Sequence, residues 1–132
     1  MRCLLDTHAF LWFIEDDSRL CAHASGLILD PANQRLLSIT SLWEIAIKAG
    51  LGRLTVSSSF PELVEQHVLG NGMELLPILP THLEAFTKLP FHHKDPFDRL
   101  IIAQAMEEDL PVITRDAAFS SYDITVLWNN KS

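Results

Sequence analysis

Four short apolar stretches constrain this chain more than anything else in it. LL at 4–5, LLSI at 36–39, LLPI at 75–78 and VIT at 112–114 are short and apolar almost throughout. Segments with helical spacing of apolar residues separate them. Strands that are apolar on both sides are covered on both faces. Strands that alternate with helices need crossovers and pair in parallel. The expected fold class is α/β with a mostly parallel sheet, and 132 residues suffice for one domain, 1–132, with a real core.

Start and stop signals divide the rest. A strand at 2–5 runs into Asp6-Thr7, a helix start, and AFLWFIE continues helically to Glu15. A turn at 16–18 precedes a second expected helix at 19–29, stopped by Asp30-Pro31. Thr40 or Ser41 is expected to cap a third helix, SLWEIAIKAG, with Gly50 and Gly52 past its end. Ser57 to Ser59 precede FPELVEQHVL, a fourth helix. A strand is expected over 74–79, a short helix over 80–89, and a long one over 96–109. VIT leads to a helical turn at 116–122, a last strand at 124–128, and a tail, NNKS, expected to fray.

Charge and cysteines limit the setting. The net charge of −7 is awkward for a nucleic-acid binder, and suits a protein that gathers carboxylates around cations or meets a basic partner. Cys3 and Cys21 are too few and too scattered for a disulfide framework or a zinc site, so reduced, buried thiols are expected. Asp6 interrupts any apolar region at the start, so no secretory signal is expected, and no apolar run reaches roughly 18 residues. A cytoplasmic protein without membrane contact is the expectation.

In open parallel sheets ligands bind beyond the carboxyl ends of the strands. Asp6 follows the first strand directly, and Asp116 follows VIT after Arg115. Asp98 opens the 96–109 helix and can face the same crevice. Glu44 sits among Leu42, Trp43, Ile45, Ala46 and Ile47, an expensive place for an acid without a partner. Four converging carboxylates repel one another, and a hard divalent cation resolves that conflict. Such a site can hydrolyse phosphodiesters.

Each acid also has a plain reading. Asp95 is a near-ideal N-cap before Pro96. Asp98 would then complement the helix dipole. Asp6 and Asp116 could cap the helices they precede, and Glu44 could pair with Lys48 four residues on. His92-His93-Lys94 reads as a solvated loop before a cap, against a metal or nucleic-acid patch. Trp12 and Trp43 read as core. No Gly-rich phosphate loop and no G-x-S-x-G elbow occurs. The first acid segment, DTH, lacks the second aspartate of a haloacid-dehalogenase-like phosphatase.

LLDTHAFLW, SLWEIAIKAGLGRL, DPFDRLIIAQA, VITRDAAFSSY and ITVLW, in this order and spacing, resemble PIN-domain ribonucleases, and among them the VapC-like toxins of toxin–antitoxin pairs. The resemblance covers nearly the whole chain. It implies a three-layer α/β/α sandwich and an acidic pocket holding Mg²⁺ or Mn²⁺, with RNA as substrate. Asp6, Glu44, Asp98 and Asp116 match the family's four acids. Asp6 and Asp98 would be the metal ligands; Glu44 and Asp116 would complete the pocket and orient the attacking water. Thr7 and Thr114 would fix the carboxylates. Asp95 would be a cap. An antitoxin would lay a basic segment across the groove, and any DNA contact would come through it. A homodimer is implied, with 40–50 and 60–70 as its interface. RNA contacts would fall to Lys48, Arg53, Lys94, Arg99 and Arg115. The competing expectation is a PIN-fold docking module that acts only through its partner; a small-molecule phosphatase is a third.

Overall fold

A computed structural model describes residues 1–129; most of the expected frayed tail, 130–132, lies outside the described residues. Among the described residues one sheet contains five parallel strands: β1 (Arg2–Leu5), β2 (Gln34–Ser38), β3 (Glu74–Leu76), β4 (Val112–Ile113) and β5 (Val126–Leu127). Their order across the sheet is β3-β2-β1-β4-β5. The chain winds outward in one direction from β1 to β3, then returns to β1's other side. The crevice between β1 and β4 is therefore the topological switch point.

Side chains of β1 alternate between the two faces, as strand geometry requires. Cys3 and Leu5, with Leu37 and Ile113, pack against Phe10, Ala24, Ile28, Ile45 and Leu63. Leu4, with Leu36 and Val112, packs against Ile101, Ile102, Ala105, Phe119 and Tyr122. Helices α1 (Thr7–Ile14), α2 (Ala22–Leu29) and α3 (Ile39–Gly50) cover the first face; α5 (Pro80–Thr87) and α6 (Pro96–Glu108) cover the second. This is the expected three-layer α/β/α arrangement. No helix among the described residues is long and apolar enough to cross a membrane.

Several boundaries differ from the sequence expectation. The second helix starts at Ala22, because Arg19 is tied back to Asp17 by backbone and side chain; the Cys21 thiol accepts from Ala24 N at 3.5 Å. Cys21 is only part-buried, and its Sγ donates to the Trp128 carbonyl at 2.9 Å. The cap of α3 is Ser38, not Thr40 or Ser41: its hydroxyl accepts from Thr40 N, so the strand passes into the helix without a loop. β3 stops at Leu76, since Pro77 has no N–H for the ladder. The fourth helix, capped by Ser59 as expected, is regular only over α4 (Phe60–Glu62) and widens to π-helix over Leu63–Val68. Gly72 closes it at φ 76, where a Cβ would meet buried Arg35 Nη2 at 3.0 Å.

Candidate active site

Each acid owes its place to the junction that carries it. Asp6 ends β1 and caps α1: Oδ1 accepts from Ala9 N at 2.7 Å. Its Oδ2 accepts from Thr114 Oγ1, beyond β4, at 2.6 Å. The plain reading of Asp6 as a cap holds, and each carboxylate oxygen keeps lone pairs beyond those two bonds. Asp116 follows β4 and caps the 3₁₀ turn Ala117–Ser121, with Oδ1 accepting from Ala118 N at 2.9 Å. Asp98 lies in the first turn of α6, whose N-cap is Asp95: Asp95 Oδ1 accepts from Phe97 N and Asp98 N.

Glu44 is buried on the inner side of α3, at 2% exposure. Thr7 Oγ1 donates to its Oε1 at 2.7 Å, and Lys48 Nζ pairs closely with its Oε2. The helical ion pair thus exists, and it forms one wall of the acidic pocket. Thr7 and Thr114 fix Glu44 and Asp6 as the sequence implied.

Electrostatics show how tightly the acids crowd. The Asp98 carboxyl is pushed up to about 8, first by burial and then by the charges of Asp95, Glu44, Asp6 and Asp116. Burial lifts Asp6 to about 6 against the hydrogen bonds from Thr114 and Ala9, with Asp116 adding to the rise. Burial, the largest single influence on Lys48, pulls its amine down; the bond and charge of Glu44, with Asp95 and Asp98, outweigh it and leave a net rise. Asp98 is the focus of the pocket's negative potential.

Sequence reasoning missed His93. The 92–94 stretch reads as solvated loop, yet His93 is mostly buried and its Nε2 lies 2.8 Å from Asp116 Oδ2 and 3.2 Å from Asp98 Oδ2. The one available signal is its position two residues before the cap of the helix that carries Asp98. Trp12 and Trp43 also depart from the core reading. Trp43 is half exposed against Phe97, their rings 4.9 Å apart. Trp12 lines a cavity of about 280 Å³ with Asp6, His8, Arg19, Arg115 and Asp116. Arg19 and Arg115 stack on its ring at 5.0 and 5.5 Å. Arg99, a candidate RNA contact, is 4% exposed and bonds the Pro90 carbonyl while lying over Phe91.

The comparisons with known proteins agree with this architecture. The family model described as PIN domain matches residues 3–124. Ribonuclease VapC22 of Mycobacterium tuberculosis is 29% identical over 120 residues, 90% of either chain. Among solved structures, VapBC2 from Rickettsia felis, bound to a DNA fragment from its promoter, matches with TM-score 0.72 at 14% identity, covering 98% of this chain and 100% of that one. FitAcB from Neisseria gonorrhoeae matches with TM-score 0.67 at 24% identity over 96% of both chains.

Proposed function

Since the chain belongs to the PIN domain family, we propose that it is a ribonuclease, the toxin of a toxin–antitoxin pair, which hydrolyses RNA phosphodiester bonds in the acidic pocket with Mg²⁺ or Mn²⁺. The observation that carries the reading is the pocket itself. Asp6 and Asp116 leave the sheet at its switch point, Glu44 and Asp98 enter from helices on opposite faces, and all raise the carboxyl of Asp98 or share its surroundings. A set of hard oxygen donors that cannot all ionise together suits a divalent cation.

In this reading Asp6 and Asp98 hold the cation. Asp116, the most exposed of the four acids, faces the attacking water and orients it. Glu44, held by Thr7 and Lys48, closes the pocket from behind. A bound divalent cation would supply charge neutralisation at the phosphate and an acidified water. Deletion of the Asp6 charge is the direct test. Asp6→Asn is expected to lower cleavage of total RNA on the order of 10³-fold, about 4 kcal/mol of transition-state stabilisation, with the wild type silenced by chelator. Equal cleavage by both proteins would defeat the assignment. No cleavage and no cation binding by either would favour the docking module.

RNA must reach a pocket of like charge, so a cation beside it matters. Arg19 is already engaged by Asp17, with Nη2 to Oδ2 at 2.7 Å. Arg115, exposed and one residue from Asp116, makes no ion pair among the described residues. We assign it a phosphate contact, with Trp12 beneath it. Arg115→Ala is expected to weaken RNA binding and to reduce the slope of log K against log salt by about 0.7, the value for one single-strand phosphate. An unchanged slope in a salt titration would remove Arg115 from the interface.

A protein partner also has a surface to meet. A groove of about 600 Å³ between α3 and the segment leading into α4 is lined by Ile45, Ala46, Leu54, Val56 and Phe60. It overlaps both segments expected from the sequence, 40–50 and 60–70, and extends over the stretch between them; in this reading the antitoxin or a second copy would cover it.

A further inference from the structure

The ring of His93 is held on every side. Its Nδ1 accepts the backbone N–H of Asp95 at 3.1 Å. Its Nε2 faces Asp116 Oδ2 at 2.8 Å and Asp98 Oδ2 at 3.2 Å. The ring meets Phe119 edge-on, with centroids 5.9 Å apart. The loop that carries it is clamped as well. Tyr122 Oη accepts the N–H groups of His92 and His93 at 3.1 and 2.9 Å, and donates to the Pro90 carbonyl at 2.8 Å.

By distance alone His93, Asp98 and Asp116 could form a metal site with an imidazole ligand, since one ligand atom from each lies within 4.8 Å of the others. The hydrogen bonding argues otherwise. A backbone N–H points at Nδ1, so that nitrogen presents its lone pair. In the neutral ring the proton is then on Nε2, which has no lone pair to offer a cation. Ligation through Nε2 would require the ring to become an imidazolate or to abandon the Asp95 bond. Two carboxylate oxygens at Nε2 are what a donor there would attract.

We propose that His93 is a positioning residue: its Nε2–H donates to Asp98 and Asp116 and sets their orientation, and His93 itself does not bind the cation. The inference rests on the reading of the pocket as a cation site. It also explains the spacing His93-x-Asp95-x-x-Asp98. The Asp95 backbone selects the tautomer of His93, the Asp95 side chain caps α6, and α6 delivers Asp98 to the ring.

Imidazole ¹H–¹⁵N spectra of the wild type, with His93 assigned by its absence in His93→Gln, test the donor role without reference to activity. The expected pattern is an Nε2–H tautomer in the metal-free protein that persists when Mg²⁺ is saturating. Calorimetry with Mg²⁺ tests the positioning. His93→Gln, whose amide can still donate from near the Nε2 position, should bind within a few-fold of wild type, and His93→Ala about 10- to 100-fold more weakly. An Nδ1–H tautomer, loss of the Nε2 proton on adding Mg²⁺, or wild-type affinity in His93→Ala would each overturn the inference. If His93→Ala does not fold, the spectra and His93→Gln decide. Failure of the wild type to bind Mg²⁺ would instead defeat the cation reading, and the metal-free spectrum would still decide whether His93 donates.

Discussion

Replacing Asp98 by asparagine is expected to abolish RNA cleavage and, in the metal-free protein, to raise the melting temperature. The two effects have one cause. Burial and four neighbouring acids lift the folded Asp98 carboxyl to about 8, whereas an unfolded aspartate loses its proton near pH 4, about its ordinary value. Between those values the folded chain holds a proton that the unfolded chain has released. Stability therefore falls as pH rises through about 4 to 8. At neutral pH the penalty is on the order of a few kcal/mol, because a tenfold difference in proton affinity between the folded and unfolded chains corresponds to about 1.4 kcal/mol. Asparagine keeps the shape and removes the charge, so the variant should lose most of this pH dependence. It should also lose the stabilisation by Mg²⁺ that the proposed cation site predicts for the wild type. If Asp98 served only the helix dipole, asparagine would lower stability, by about 0.3–1 kcal/mol. Thermal melts at pH 5 and 8, with and without Mg²⁺, separate the two by sign. A lower melting point in the metal-free variant, with cleavage intact, would sink the assignment.

The second large effect is expected at Gln104, far from any of the four acids but Asp98 in sequence. Gln104 is fully buried on α6 and accepts from Ser38 Oγ and from Thr40 Oγ1, the latter at 3.0 Å. Its amide donates to the Pro77 carbonyl at 3.1 Å and approaches His82 Nδ1 at 3.3 Å. Ser38 is the cap of α3, which carries Glu44, and α6 carries Asp98. One side chain thus ties together the two helices that bring acids from opposite faces of the sheet. Gln104→Leu is close in volume but leaves the hydroxyls of Ser38 and Thr40 buried without their acceptor and the Pro77 carbonyl without its donor. At about 1–3 kcal/mol for an unsatisfied buried group, with partial repair, a loss of about 3 kcal/mol is expected. For a domain of this size that is a drop of roughly 10 °C. Urea unfolding followed by tryptophan fluorescence checks it. An unchanged midpoint would mean that the hydroxyls find other acceptors and that the tie does not hold the helices.

The chain's apolar runs determine the fold class by themselves. Leu4-Leu5, Leu36-Leu37 and Val112-Ile113 are each apolar at consecutive positions, and no half-exposed strand can be, so helices must cover both sides of the sheet. The acids at strand ends are equally plain, since Asp6 and Asp116 follow their strands almost at once. Local chemistry also identifies Asp95 as the cap, because a side-chain bond to the next turn depends only on neighbours. Where local signals compete, the sequence is ambiguous. Thr40 and Ser41 are good caps, but Ser38 takes the role because β2 runs directly into α3.

Only the tertiary structure decided what the acids share. Strand order brings β1 and β4 side by side, so Asp6 and Asp116, far apart in the chain, meet at one crevice. In sequence Glu44 and Lys48 look like an ordinary helical pair, and packing turns that pair inward to form a wall of the pocket. His93 reads as loop because its partners, Asp98 and Asp116, lie on a helix and beyond a strand that no spacing rule connects to it. Arg99 reads as a candidate RNA contact, and the loop at 89–91 folds over it. Periodicity reports which side of an element is buried, and that is a local property. Which side chains face one another is set by how the layers stack and in what order the strands lie, and those are properties of the whole chain.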